Sequence, residues 1–258
     1  VKVSGRGYRP SIPLLGFDAK ILKPQNIVEM LHFGSRDLGF AGADWVAELG
    51  AELVELVDTG LDPVRIVAAA PTEMLVDGKL PKRKLVIASE YERLTTRWIA
   101  EQGLDATFVR SYGATEVFPP QDADCIVDNT STGSTLVANG LEIFADVARS
   151  STRLYAHPAS LENPAKKAQV DRFVMLLRSV LDARKRAILE LNVASKFLDA
   201  VVAVLPAMRE PTITTLHHNA GYALKAAVPR ADLPLLIPLL KDAGGTDILV
   251  TPIAQIVA

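Results

Sequence analysis

The stretch DCIVDNTSTGSTL, residues 124–136, constrains the fold more than any other part of the chain. An apolar run short enough to be a buried strand ends in a carboxylate, Asp128, and passes through hydroxyl residues around a single Gly133. It then opens an apolar-periodic segment that reads as a helix from Leu136 to Val147. Strand, loop, helix is the repeating unit of α/β folds. Backbone amides at such a helix start lack intrahelical partners, and Ser131, Thr132, Ser134 and Thr135 add hydroxyl donors, so a phosphate fits there. Gly133 allows close backbone approach or a positive φ. Asp128 is placed to accept from sugar hydroxyls or to join a magnesium shell. The same residues also make an ordinary N-cap and hydroxyl-rich turn that binds nothing, and composition leaves both readings open.

The surrounding pattern extends the α/β reading. Ile12 to Leu22 reads as strand and turn, Pro24 to Leu31 as a helix, Asp37 to Asp44 as a short buried strand entering a glycine loop, and Trp45 to Leu49 as the next helix. Val64 to Ala70 is a clean strand stopped by Pro71. After the basic connector Lys79 to Lys84 come strand 85–88, helix 92–101, strand 106–110, the loop 113–120, strand 125–127, helix 136–147 and strand 153–156. This is a second α/β unit of doubly wound style. If its strands are parallel, the loop from Arg110 to Pro119 shares the carboxyl edge with Asp128, and Glu116 pairs with Asp128 in one cleft. Asp37 and Asp44 are, on their own, capping or surface residues. A long amphipathic helix, 165–186, leads to a final segment in the order βαββαβ: strand 187–193, helix 195–205, strands 212–216 and 222–228, helix 233–242, strand 247–250. That order is the ferredoxin-like motif.

At 258 residues and 49% hydrophobic, the chain has material for more than one core. A formal net charge of -2 carries no electrostatic footprint for nucleic acid. The single Cys125 excludes an internal disulfide framework and sits in an apolar strand as a small core residue. No apolar run approaches bilayer length and Val1 to Gly7 is not a signal peptide, so a cytoplasmic protein without a membrane partner is expected. The start at Val1 and the lack of a leading strand suggest that the natural amino terminus precedes this sequence. His217 and His218 lie side by side in a turn without a third ligand nearby in sequence, so no metal ligand is assigned.

The run from Val127 to Leu141, VDNTSTGSTLVANGL, resembles the signature of the ATP phosphoribosyltransferase family, matching it at Thr132, Gly133, Thr135, Leu136, Ala138, Asn139, Gly140 and Leu141. The segments from Lys20 to Ile27 and from Gly34 to Asp44 also resemble that family, with Asp37, Gly39, Gly42 and Asp44 matching. Lys23 stands where the family has arginine and Asn26 where it has aspartate, and Glu116 falls at a family glutamate. Gly5-Arg6-Gly7 is only a superficial match to the family's ATP-contacting Lys-Gly-Arg segment.

The resemblance implies a bilobal, periplasmic-binding-protein-like catalytic body carrying a C-terminal ferredoxin-like regulatory domain. Residues 1–78 would form lobe I, amino-terminally incomplete and completed by helix 165–186. Residues 79–164 would form lobe II, and residues 187–258 the regulatory domain. It implies an enzyme that condenses ATP with phosphoribosyl pyrophosphate, with Mg2+, as the first step of histidine biosynthesis, feedback-inhibited by histidine and assembled as a hexamer. Glu116 and Asp128 would be catalytic. Lys23, Asp44, Asn129, Thr130, Ser131, Thr132, Gly133, Ser134 and Thr135 would bind substrate, and Thr212, Thr214 and Leu216 the effector. A bilobal small-anion sensor and a non-catalytic regulatory partner are the alternative readings.

Overall fold

The computed structural model describes residues 8–257, so Gly5, Arg6 and Gly7 lie outside the described residues. Between Ile12 and Leu22 the chain forms bends and a turn closed by Phe17 N on Leu14 O at 3.3 Å, without the expected strand. Pro10 and Pro13 supply no amide donors for a ladder there. Two units follow, one through Lys167 and one from Ala168.

The first unit contains α1 (Pro24–His32), β1 (Leu38–Gly42), α2 (Ala43–Leu49), β2 (Val54–Pro71), β3 (Leu85–Ser89), α3 (Glu92–Gln102) and β4 (Ala106–Arg110). It continues with β5 (Cys125–Thr130), α4 (Ser134–Ala138), β6 (Leu141–Ala156) and α5 (Pro158–Glu162). Its six strands form one mixed sheet in the order β1-β6-β2-β5-β3-β4. β3 runs parallel to both β4 and β5, while β2 pairs antiparallel with β5 and β6, and β6 antiparallel with β1.

Two long strands organise this sheet. β2 and β6 stay paired from Val54↔Ala156 to Pro71↔Leu141, with register shifts at several points between Glu55 and Ala69. One end of the ribbon carries β1, α1 and α2 around Val28, Leu31, Ala41 and Tyr155. The other end carries β5, β3 and β4. There Ile66, Ala68 and Ala70 pack toward α3 through Leu94, Trp98 and Ile99, and Val67 and Ala69 pack toward Leu136 and Leu141 on the opposite face. Burial on both faces explains why Val64 to Ala70 reads as an unbroken apolar run.

The helix expected over 136–147 is a correction. α4 covers five residues and is followed by a 16-residue strand, because Gly140 at φ 71 ends the helix and β2 offers a full ladder to the segment beyond it. α3 begins with no cap from its own chain end; Glu48 of α2 supplies one, its carboxylate accepting from Arg93 N and Leu94 N, each at 3.0 Å.

The second unit holds most of α6 (Pro164–Arg184), then β7 (Arg186–Val193), α7 (Leu198–Val204), β8 (Thr212–Thr215), β9 (Tyr222–Pro229), α8 (Leu233–Asp242) and β10 (Gly245–Pro252). Its antiparallel strands lie in the order β10-β7-β9-β8, which in the unit's own sequence is fourth, first, third, second. That is the ferredoxin-like arrangement expected from the βαββαβ pattern. Leu189, Leu191, Val193, Leu224 and Val228 on one sheet face bury against Val201, Leu236 and Leu240. Each of these side chains contributes about 1.5–3 kcal/mol by leaving water.

Candidate functional site

Since β3 runs parallel to β4 and β5, the carboxyl ends of all three open on one edge. In α/β sheets that edge is where ligands bind. Here it borders a cavity of about 460 Å³ lined by Glu90 just past β3, by Gly113 to Glu116 after β4, and by Asp128 to Thr132, Ser134, Thr135 and Leu136 from β5 into α4. Val64 of β2 completes the wall, and no lysine or arginine is among these lining residues.

The β5–α4 loop turns at Gly133, whose φ of 81 lies in the left-handed region. A Cβ there would meet Ile143 Cδ1 at 3.2 Å, so the position suits glycine. The loop satisfies part of itself. Gly133 N donates to Thr130 Oγ1 at 2.8 Å, Ser134 N reaches Thr132 Oγ1 at 3.4 Å, and the Thr132 and Ser134 hydroxyls lie 3.0 Å apart. The amides of Ser131, Thr132 and Thr135 meet no protein acceptor among the described residues. The loop therefore keeps main-chain donors and exposed hydroxyls facing the hollow, a neutral cradle for an anion.

Across the hollow, Ala114 at φ 49 leads into a short 3-10 turn, Thr115–Val117, that aims Glu116 inward. The buried Thr115 hydroxyl is held 2.7 Å from Ser111 Oγ. Burial, together with the charges of Glu116 and Glu90, pushes the Asp128 carboxyl up to about 6, against the opposing bonds from Asn129 N at 2.7 Å and from Thr115. Three carboxylates thus face one hollow without a cation. The arrangement suits a ligand that presents hydroxyls and positive charge to this wall and phosphate to the opposite loop.

Glu116, Asp128, Asn129, Thr130, Ser131, Thr132, Ser134 and Thr135 all line this cavity, with Gly133 shaping the loop between them. Lys23 does not line it; it is the exposed residue preceding α1. Asp44 is also outside the lining and only 7% exposed, rather than a surface residue. Its carboxylate accepts from Tyr91 OH at 2.8 Å and from Ser150 Oγ at 2.6 Å, and its amide donates to Ser150 Oγ at 3.1 Å. Asp37 bonds to Ser160 Oγ at 2.6 Å and Lys166 Nζ at 2.7 Å, the lysine bond being the main cause that holds its carboxyl below the usual range. In the second unit Thr212 and Thr214 are exposed on the edge strand β8, with Leu216 just beyond it. The rings of His217 and His218 lie 3.8 Å apart, tilted by 52°, and no group of three His, Cys, Asp or Glu suited to a metal occurs among the described residues.

Glu90 and Tyr91 escaped the sequence reading. The signal that finds them is position: Glu90 follows β3 at the same edge where Ser111 follows β4 and Thr130 ends β5. Among the described residues no helix is long and apolar enough to cross a membrane.

A sequence model described as ATP phosphoribosyltransferase matches residues 23–179, and one described as the HisG C-terminal domain matches residues 183–255. The ATP phosphoribosyltransferase of Pelotomaculum thermopropionicum is 34% identical over 260 residues, covering 99% of this chain and 90% of the relative. That of Chlorobaculum parvum is 36% identical over 251 residues, covering 95% and 85%. A solved ATP phosphoribosyl transferase (HisG:HisZ) complex from Thermotoga maritima contains a chain that superposes with a TM-score of 0.61 at 23% identity, over 70% of this chain and 87% of that one, a likeness of fold.

Proposed function

Because the chain belongs to the ATP phosphoribosyltransferase family, we propose that it joins ATP to phosphoribosyl pyrophosphate, giving phosphoribosyl-ATP and pyrophosphate as the first step of histidine biosynthesis. The adenine N1 lone pair forms the new bond to the anomeric carbon as the bond from that carbon to pyrophosphate breaks, its electron pair leaving with pyrophosphate. Little covalent work falls to the protein, so placement and charge dominate. The single observation that carries this reading is the shared hollow, lined together by the β5–α4 loop, Asp128 and Glu116.

In this scheme the Ser131, Thr132 and Thr135 amides and the loop hydroxyls hold the 5-phosphate. Asp128 accepts from the ribose diol, and Glu116 and Glu90 stabilise positive charge growing at the anomeric carbon. The all-oxygen donor set fits Mg2+, and Asp128's raised carboxyl marks negative charge that a divalent cation would offset. When bound, magnesium would neutralise the leaving pyrophosphate. Glu116 and Asp128 would hold it jointly with substrate oxygens, since these residues form no closed cage of their own.

The second unit is read as the regulatory domain, with histidine bound near Thr212, Thr214 and Leu216, and the working assembly as a cytoplasmic hexamer. Pyrophosphate release from ATP and phosphoribosyl pyrophosphate, with magnesium present and withheld, tests the activity. Substrate binding with no turnover would instead support an anion sensor. Histidine titrated into the same assay should inhibit the parent and act more weakly on Thr212→Val/Thr214→Val, and an insensitive parent chain would remove the regulatory reading. Sedimentation gives the assembly mass directly.

A further inference from the structure

Tyr91 lies beneath the hollow, 1% exposed, its ring 4.8 Å from that of Trp45 and its backbone amide bonded to Ser89 Oγ at 2.9 Å. Apolar packing would be met equally well by phenylalanine. The hydroxyl instead donates to a buried carboxylate, Asp44, a contact phenylalanine could not make. Its geometry has a direction. Ser150 Oγ accepts from Asp44 N and gives its own proton to Asp44 Oδ1, and Tyr91 gives its proton to Asp44 Oδ2.

With that proton committed, the Tyr91 oxygen faces its other neighbour with lone pairs only. The neighbour is the side-chain amide of Asn129, 3.0 Å away, which must present Nδ2 to it. The same amide group lies 3.5 Å from Asp128 Oδ1, so both acceptors nearby draw the nitrogen and neither draws the oxygen. Asn129 Oδ1 accepts from no protein donor among the described residues, and Asn129 lines the hollow.

We infer that Tyr91 is a positioning residue: through the chain Ser150–Asp44–Tyr91 it fixes the orientation of the Asn129 amide, so that the nitrogen is held toward Tyr91 and Asp128 and the carbonyl oxygen is left free to accept from a sugar hydroxyl of the substrate. Two adjacent acceptors, one charged and one neutral, match a vicinal diol, which offers two donors. This inference rests on the transferase reading and adds to it the device that sets the second acceptor. It also gives Asp44 an indirect role, as the group that orients Tyr91.

The test is steady-state kinetics on the full chain, measured as pyrophosphate release, for the parent, Tyr91→Phe, Asn129→Ala and the double variant, with thermal melts alongside. Removal of the hydroxyl should raise the KM for phosphoribosyl pyrophosphate about tenfold with kcat within about twofold, the range seen when a residue supporting a ligand contact is lost. Asn129→Ala should do the same, and adding Tyr91→Phe to it should change KM no further, because the two act as one unit. If Tyr91→Phe does not fold, Asp44→Asn disturbs the same hydroxyl at constant volume and takes its place in the cycle. An unchanged KM in Tyr91→Phe, or effects of the two substitutions that multiply, overturns the relay while parent turnover stands. Absence of turnover in the parent overturns the transferase reading and this inference with it.

Discussion

Replacing Asp128 with asparagine should make the protein more stable at neutral pH while weakening its substrate affinity. The side chain keeps its volume and an acceptor for Asn129 N, 2.7 Å away, while its charge is lost and its second acceptor oxygen becomes an amide donor. Burial and the charges of Glu116 and Glu90 raise that carboxyl from 3.8 to about 6, a gap that corresponds to about 3 kcal/mol against the ionised form. Solvent at the mouth of the hollow reduces the usable figure to about 1–3 kcal/mol. The folded chain holds the proton more tightly than the unfolded chain, so stability from this group is complete below pH 3.8 and is lost as pH rises through about 6. Urea unfolding of parent and Asp128→Asn, followed by fluorescence of Trp45 and Trp98 in the same unit, measures the difference at pH 4 and pH 7.5. The variant should gain about 1–3 kcal/mol at pH 7.5 and no more than about 0.5 kcal/mol at pH 4. Calorimetric affinity for phosphoribosyl pyrophosphate should fall at least about tenfold, since a charged acceptor is lost. A variant no more stable than its parent at pH 7.5, or a difference that does not change with pH, would refute the electrostatic picture of the hollow.

Other perturbations probe different links. Gly133→Val forces a branched side chain into φ 81 with Ile143 Cδ1 at 3.2 Å, and should cost about 1–3 kcal/mol in urea unfolding and weaken phosphoribosyl pyrophosphate binding. Glu48→Ala strips the acceptor from Arg93 N and Leu94 N and should destabilise the first unit by about 1–2 kcal/mol, with the KM for phosphoribosyl pyrophosphate unmoved; a raised KM would tie that cap to the site. Cys125 is fully buried and its thiol is pushed up by that burial, so an aromatic disulfide reagent should label it only as fast as the chain unfolds in urea. Rapid labelling in native buffer would contradict the packing of β5.

Much of the architecture was legible because its strands are short, apolar and bounded by turn residues. The strands at 85–89 and 106–110 and the helix at 92–102 lie within a residue of the pattern-based bounds, and so does most of the ferredoxin-like unit. β6 was obscured. Residues 141–156 carry apolar positions that suit either period, and only the ladder with β2, from Pro71↔Leu141 to the more distant Val54↔Ala156, decides for strand. The Asn139-Gly140 pair was the local signal that α4 stops early. The loop 130–135 and the acids Glu116 and Asp128 stood out because each is fixed by local sequence at a strand end. Asp44 read as a surface or ligand residue because what buries it lies 47 and 106 residues away, at Tyr91 and Ser150.

The β2–β6 ribbon sets the mechanics of the first unit. Two hydrogen-bonded strands carry both ends of the sheet, so one end can move against the other only by flexing a ladder, as a leaf spring bends, and not by swinging on a slack tether. The register shifts at several points from Glu55 to Ala69, most strongly between Asp58 and Leu61, and the burial pattern is most open from Asp58 to Val64. Compliance is therefore concentrated a few residues from Val64, which borders the hollow, and stiffening that short stretch changes how readily the hollow can tighten around whatever enters it.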